Sequence, residues 1–257
     1  MLPTDIDDIE MASPNRATGR TDSWAFLNPR THEIQGVLGS ESGTTMVDRN
    51  LLRKILAREL TIQYNKQMVS YQIHEDSVAV QFKDGYAAVG SILVGADGAN
   101  SRVRSHLLAG FAAVPSRAIM LNGTVELNQA HWQPILEHGS GGILFGEPGL
   151  KGNVLLGEYL EDGRALINWS LAWLSAELEI DLAWTKNASG KLLFEKAQEL
   201  SSHLPAYIKN AIDKTGPQGM QQPPLRLLET VLPCEELPTG PVTLLGDAAH
   251  SMVSQGL

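Results

Sequence analysis

Two stretches of this sequence carry residue types at spacings suited to an anionic, hydroxyl-bearing ligand. The first is LVGADGANSRVR, residues 93–104. A short apolar strand runs into a glycine turn, an aspartate and a helix start that bears two arginines. Backbone N–H groups at such a turn, with a helix N-terminus beside them, meet an anion. Gly95 and Gly98 let backbone approach a ligand closely. Asp97 is placed to accept from a hydroxyl or a backbone N–H. Arg102 and Arg104 are long enough to reach phosphate, with at least one of them expected at the surface. The second stretch is VTLLGDAAH, residues 242–250. Another apolar strand ends in Gly246-Asp247, and the small Ala248 and Ala249 lead into a helix. Asp247, at the carboxyl end of a strand, is well placed to bond a ribitol or ribose hydroxyl.

These residues need a scaffold, and the hydrophobic periodicity supplies one. WAFLNPRTHEIQGVLG reads as a hairpin around Asn28-Pro29. In DRNLLRKILAREL, the residues Leu51, Leu52, Ile55, Leu56 and Leu60 recur at helical spacing, with Asp48 as the cap. Arg49 then falls in the first turn, where the helix dipole disfavours a cation. Either a phosphate elsewhere partners it, or it is a solvated surface residue. QMVSYQIH, SVAVQF and SILVGADG alternate with period two and read as strands, with a tight turn at Asp84-Gly85. Residues 114–174 are mostly strand without intervening helices, which implies an antiparallel sheet. Helical pattern returns near Ser175 and breaks at Pro205. Residues 1 to about 20 read as a poorly packed lead-in.

Composition narrows the function classes. Hydrophobic residues make up 43% and charged residues 19%, enough for a core and too little charge for disorder. The net charge of -9 and the lack of a basic run argue against nucleic acid as a partner. The single cysteine, Cys234, excludes a disulfide framework and reads as a buried, inert thiol. The scattered histidines form no close pair, so no metal site is expected. No run approaches the roughly 18 apolar residues of a membrane-spanning helix. The opening MLPTDIDDIE is acidic where a signal peptide is basic, so a cytoplasmic location is expected.

The GADG and GD motifs lie about 150 residues apart, with R-x-x-L-R at Arg49 before them. Together they resemble the FAD-dependent monooxygenases of the aromatic-hydroxylase type, closest to the fungal and zeaxanthin-epoxidase-like branch. DRNLLRKIL and FKDGYAAVGSILVGADGANSRVR carry that likeness. The resemblance implies an α/β chain: an incomplete Rossmann-like FAD-binding domain with an inserted substrate domain on a mixed or antiparallel sheet. Residues 1–110 and 226–257 are expected in the first, and residues 111–225 in the second. FAD and NAD(P)H are the implied cofactors, with O₂ and a small aromatic or terpenoid-like molecule as reactants. Hydroxylation or epoxidation through a flavin C4a-hydroperoxide is the implied chemistry. By the same resemblance Arg49, Asp97, Gly98, Arg102, Gly246, Asp247 and Ala248 are the cofactor-binding residues. The helix starting near Ala248 is expected to aim its positive end at the flavin.

The sequence departs from that family at both ends. No G-x-G-x-x-G unit stands at its start, and it stops at Leu257 within the GD motif. Ser254 stands where the family usually has proline. A fragment is therefore expected. The alternatives are a non-catalytic remnant of such an enzyme, or a related flavin-dependent reductase or halogenase. No catalytic side chain is identified. His250 reads as structural, with a general base as the other option. Trp169, Trp173, Trp184 and Tyr159 read as packing residues, with a pocket lining as the alternative.

Overall fold

The structure is a computed structural model of the chain and describes residues 12–15, 19–39, 45–230 and 238–252. Cys234 and Ser254 lie outside the described residues. The chain forms two compact units. One holds Met1–Leu60 and Arg117–Leu225, the other Thr61–Ser116 and Arg226–Gly256. The described residues up to Leu60 thus cluster with residues 117–225.

In the first unit, strands β1 (Ser23–Leu27) and β2 (Ile34–Gly39) form the hairpin expected around Asn28-Pro29. β7 (Val114–Leu127), β8 (Gly142–Glu147), β9 (Leu150–Tyr159) and β10 (Ala165–Leu174) extend it into a sheet ordered β7-β10-β9-β8-β1-β2. The sheet is mixed. β1 runs parallel to β8, with Trp24 opposite Gly142, while the other neighbours are antiparallel. Alternating burial along β9 marks one face as core, as the period of two requires. Apolar residues of helices α5 (Gly190–Leu200) and α6 (Ala206–Thr215) share the core cluster with Ile167, Trp169 and Leu171 of β10. Trp169 is a core residue, and its indole N–H donates to Thr215 Oγ1 at 2.8 Å. Directly opposite it in register stands Gly123, where a side chain would collide with the indole.

Three local readings are corrected by the structure. A helix, α3 (Gln129–Leu136), interrupts the strand-rich middle. It buries Ile135 and Leu136 and tolerates Pro134 within its span. Sparse apolar spacing and that proline hid it from a periodicity reading. Residues 12–15 are not a loose lead-in, since Ala12 and Asn15 are buried. The buried Asp22 carboxylate accepts from Ser13 Oγ, Asn15 Nδ2 and the Met46 N–H, and so ties three segments together. A buried carboxylate needs several donors of this kind. Helix α1 (Arg49–Leu56) is capped by Asp48, whose Oδ1 accepts from Leu51 N–H at 2.8 Å. Leu60 lies beyond its end, and none of the helix's residues is buried.

The second unit contains a three-stranded antiparallel meander, β3 (Met68–Ile73), β4 (Val78–Phe82) and β5 (Ala87–Gly90). Beside it are two short parallel strands, β6 (Leu93–Gly95) and, after β11 (Arg226–Glu229), β12 (Val242–Leu244). Val78, Val80, Val103 and Val242 form the core of this unit. Val103 comes from helix α2 (Arg102–Leu107), so α2 closes the space between the meander and the parallel pair.

Candidate functional site

The two sequence motifs meet at the carboxyl ends of β6 and β12. Val242, Thr243 and Leu244 pair in parallel with Leu93, Val94 and Gly95. The ladder continues past the strands, because Leu245 N–H donates to Gly95 O at 2.8 Å. The GADG and GD turns therefore leave the sheet side by side, at the strand ends where α/β folds place their ligands. Gly95 is required for this closeness: a Cβ there would press into Val103 and Leu244. Gly98 (φ +80°) and Gly246 (φ +60°) occupy backbone conformations that favour glycine, and the space where their side chains would stand is open.

Asp97 organises the first turn. Its carboxylate accepts from Ser101 Oγ at 2.5 Å, Arg102 N–H at 2.7 Å and Val103 N–H at 3.3 Å. Ser101 in turn caps α2 by accepting from Arg104 N–H at 2.9 Å. The aspartate and the cap thus satisfy the free N–H groups of the first helical turn. Burial pushes the Asp97 carboxyl up, but the bonds from Ser101 and Arg102 outweigh it, and its pKa falls below the usual carboxylate value. A folded pKa below the unfolded one gives stability that is full above the ordinary carboxylate range. That stability is lost as pH falls through the lower, folded value. Asp97→Asn is expected to destabilise the second unit by about 1–2 kcal/mol, the range for losing a helix cap. It should also remove part of the acid-limb pH dependence seen in urea unfolding between about pH 5 and pH 2. An unchanged acid limb in the variant would remove Asp97 from this role.

The two arginines behave differently from one another. Arg102 is exposed, and its guanidinium donates to Met68 O at 2.8 Å, holding α2 to β3. Arg104 is 1% exposed. Its guanidinium bonds Ala248 O at 2.8 Å, Asp247 O at 3.4 Å and Ala99 O. Instead of reaching outward to phosphate, it straps the GADG turn to the GD helix. Its Nε is buried and finds no partner among the described residues. Neither the Ser101 cap nor the strap was named from the sequence; a serine at the helix start is the signal for the first, and nothing local signals the second.

The GD motif forms a one-turn helix, α7 (Asp247–His250), with Ala248 fully buried and Asp247 exposed at its first position. No described residue hydrogen-bonds the Asp247 carboxylate, so it is free to accept from a ligand hydroxyl. His250 is exposed at the end of this helix. Asp97 and Arg102 also line a mainly apolar cavity of about 610 Å³, with Met68, Val80, Phe82 and Val94. That volume lies within the range of small-molecule sites. Arg49 belongs to the first unit, at the first position of α1, where no carboxylate pairs with it among the described residues. The described residues contain no group of His, Cys, Asp and Glu able to hold a metal, and no helix long and apolar enough to cross a membrane.

Comparison with known proteins adds a family to this geometry. The FAD binding domain family matches residues 30–256. The FAD-dependent monooxygenase thnD of Trichoderma harzianum is 27% identical over 98% of this chain and 64% of its own length. The FAD-dependent monooxygenase dbaB of Emericella nidulans is 29% identical over 81% of this chain and 56% of its own. Among solved structures, Klebsiella pneumoniae HpxO complexed with FAD and uric acid has the same fold. Its TM-score is 0.65 at 22% identity, over 90% of this chain and 57% of that one. The chain spans less than two thirds of the length of each. The matching motifs, the paired turns and the family match agree: the chain belongs to the FAD binding domain family, among the flavoprotein monooxygenases of the aromatic-hydroxylase type.

Proposed function

We propose that the protein represented by this chain is a FAD-dependent monooxygenase using NAD(P)H and O₂ on a small aromatic or terpenoid-like substrate, in the cytoplasm. The net reaction is RH + NAD(P)H + H⁺ + O₂ → ROH + NAD(P)⁺ + H₂O, or the corresponding epoxidation. The observation that carries this reading is the continuous pairing of β6 with β12, which brings the GADG and GD turns together. The uric acid in the HpxO complex supports a flat heteroaromatic substrate class.

The residues present fit FAD on three counts. The space beside Gly98 and Gly246 is open to close backbone approach. The exposed Asp247 carboxylate suits the hydroxyls of a ribityl chain. The buried Arg104 brings positive charge to the site without a carboxylate on its guanidinium. Bound FAD would supply the two-electron chemistry and the activation of O₂. In this reading Asp97 and Gly98 shape the first turn, Asp247 holds a hydroxyl, and buried Ala248 lets α7 pack close. Arg102 keeps α2 in place, and Arg49 is proposed as a further cofactor-binding residue. The second unit is the cofactor-binding part, and the strands of residues 111–225 form the substrate part.

The test is FAD uptake by the purified chain, followed by flavin absorbance and fluorescence quenching. A bound flavin band is expected. Asp247→Ala should weaken binding by about tenfold, equivalent to one charged hydrogen bond, with an unchanged unfolding midpoint. A chain that folds but takes up no FAD would remove this reading of the site.

A further inference from the structure

The first unit holds a cavity lined by none of the cofactor-binding residues named above. It has a volume of about 450 Å³ and lies against α5 and a preceding helix, α4 (Leu178–Asn187). Ile180, Asp181 and Trp184 recur on one face of α4, and Leu192, Glu195 and Glu199 on one face of α5. Trp173, near the end of β10, completes the wall. Two indoles thus line one small cavity, and both are only partly buried. Ile180 stays 62% exposed and Leu192 47% exposed, although both line it. None of these residues belongs to the second unit.

The charge around the cavity is one-sided. Asp181, Glu195 and Glu199 face a single basic lining residue, Lys196. That lysine is already engaged, with Nζ 2.8 Å from Glu199 Oε1. Lys191, outside the lining, stands 3.8 Å from Glu195. Asp181 has no basic partner among the described residues. An anion would be repelled here, and a neutral apolar guest would gain nothing from the carboxylates. A cation gains twice: the faces of Trp attract it more than those of any other aromatic, and a carboxylate balances its charge.

We propose that this cavity binds a compact organic cation, a protonated or quaternary amine, against the indoles of Trp173 and Trp184, with Asp181 as its counter-charge. The proposal does not rest on the flavin reading and stands whether or not that reading holds.

The probe is choline, set against its uncharged carbon isostere 3,3-dimethyl-1-butanol, in calorimetric titrations of the full chain. Choline is expected to bind saturably, and the neutral isostere at least about tenfold more weakly. Trp184→Ala should lose about tenfold in choline affinity, and Asp181→Asn should lose several-fold and flatten the salt dependence. Lys196→Gln should tighten binding. If Trp184→Ala does not fold, the two surface substitutions at Asp181 and Lys196 still decide the matter. Equal binding of the two probes would overturn the proposal and leave an apolar groove. So would the absence of any saturable binding, or sedimentation showing that the α4–α5 face is closed by a second copy of the chain.

Discussion

Trp169→Ala is expected to destabilise the first unit by about 3–5 kcal/mol, the range for emptying a buried indole site. The indole is 2% exposed and lies in the core cluster between the sheet and helices α5 and α6. Its removal leaves a cavity and takes a donor from Thr215 Oγ1, which itself donates to Ala211 O at 3.0 Å. Gly123 provides the control. It stands opposite Trp169 in register, and a Cβ there would enter the indole's van der Waals shell. Gly123→Ala alone should therefore cost about 1–3 kcal/mol through overpacking. In the Trp169→Ala background the same change meets no indole and should cost little or improve stability. Urea unfolding of the four chains gives the coupling, which should exceed about 1 kcal/mol. Additive effects would mean that the indole does not occupy the space above Gly123.

Arg104→Met should lower the stability of the second unit by about 2–4 kcal/mol and weaken FAD uptake at least tenfold. Two effects oppose each other. Removing the guanidinium relieves the desolvation of a buried charge. It also strands the carbonyls of Ala99 and Ala248, and each orphaned buried acceptor costs about 1–3 kcal/mol. The second effect wins because the carbonyls come from two separate turns that methionine cannot bridge. Arg104→Lys should restore less than half of the loss, since one ammonium lacks the planar fork that reaches both turns. The measurements are denaturant unfolding and FAD titration. Wild-type values for both variants would show that the strap is dispensable.

Much of the site was legible because its parts are local. A buried strand ending in glycine and aspartate before small residues forces a particular turn, and both turns formed where their residues stand. The hairpin at Asn28-Pro29, the cap at Asp48 and the break at Pro205 were legible for the same reason. What the sequence concealed depends on distant partners. Nothing near Arg104 announces that its guanidinium is held by the carbonyls of Asp247 and Ala248, more than a hundred residues on. Nothing near Asp22 announces the amide of Met46. Helix α3 was missed because its apolar residues gather at one end, Ile135 and Leu136, instead of recurring around turns.

The parallel pairing of β1 with β8 has a consequence for the order in which the chain comes into being. β1 and β2 are synthesised before β8, the strand that pairs with β1 only after more than a hundred further residues. Closing so long a loop delays the contact more than it weakens the finished sheet, because the entropic cost grows only with the logarithm of length. Until β8 leaves the ribosome, the backbone edge of β1 that pairs with it stays open to water. The hairpin is thus made before the strand that completes its edge, and the first unit matures as a whole.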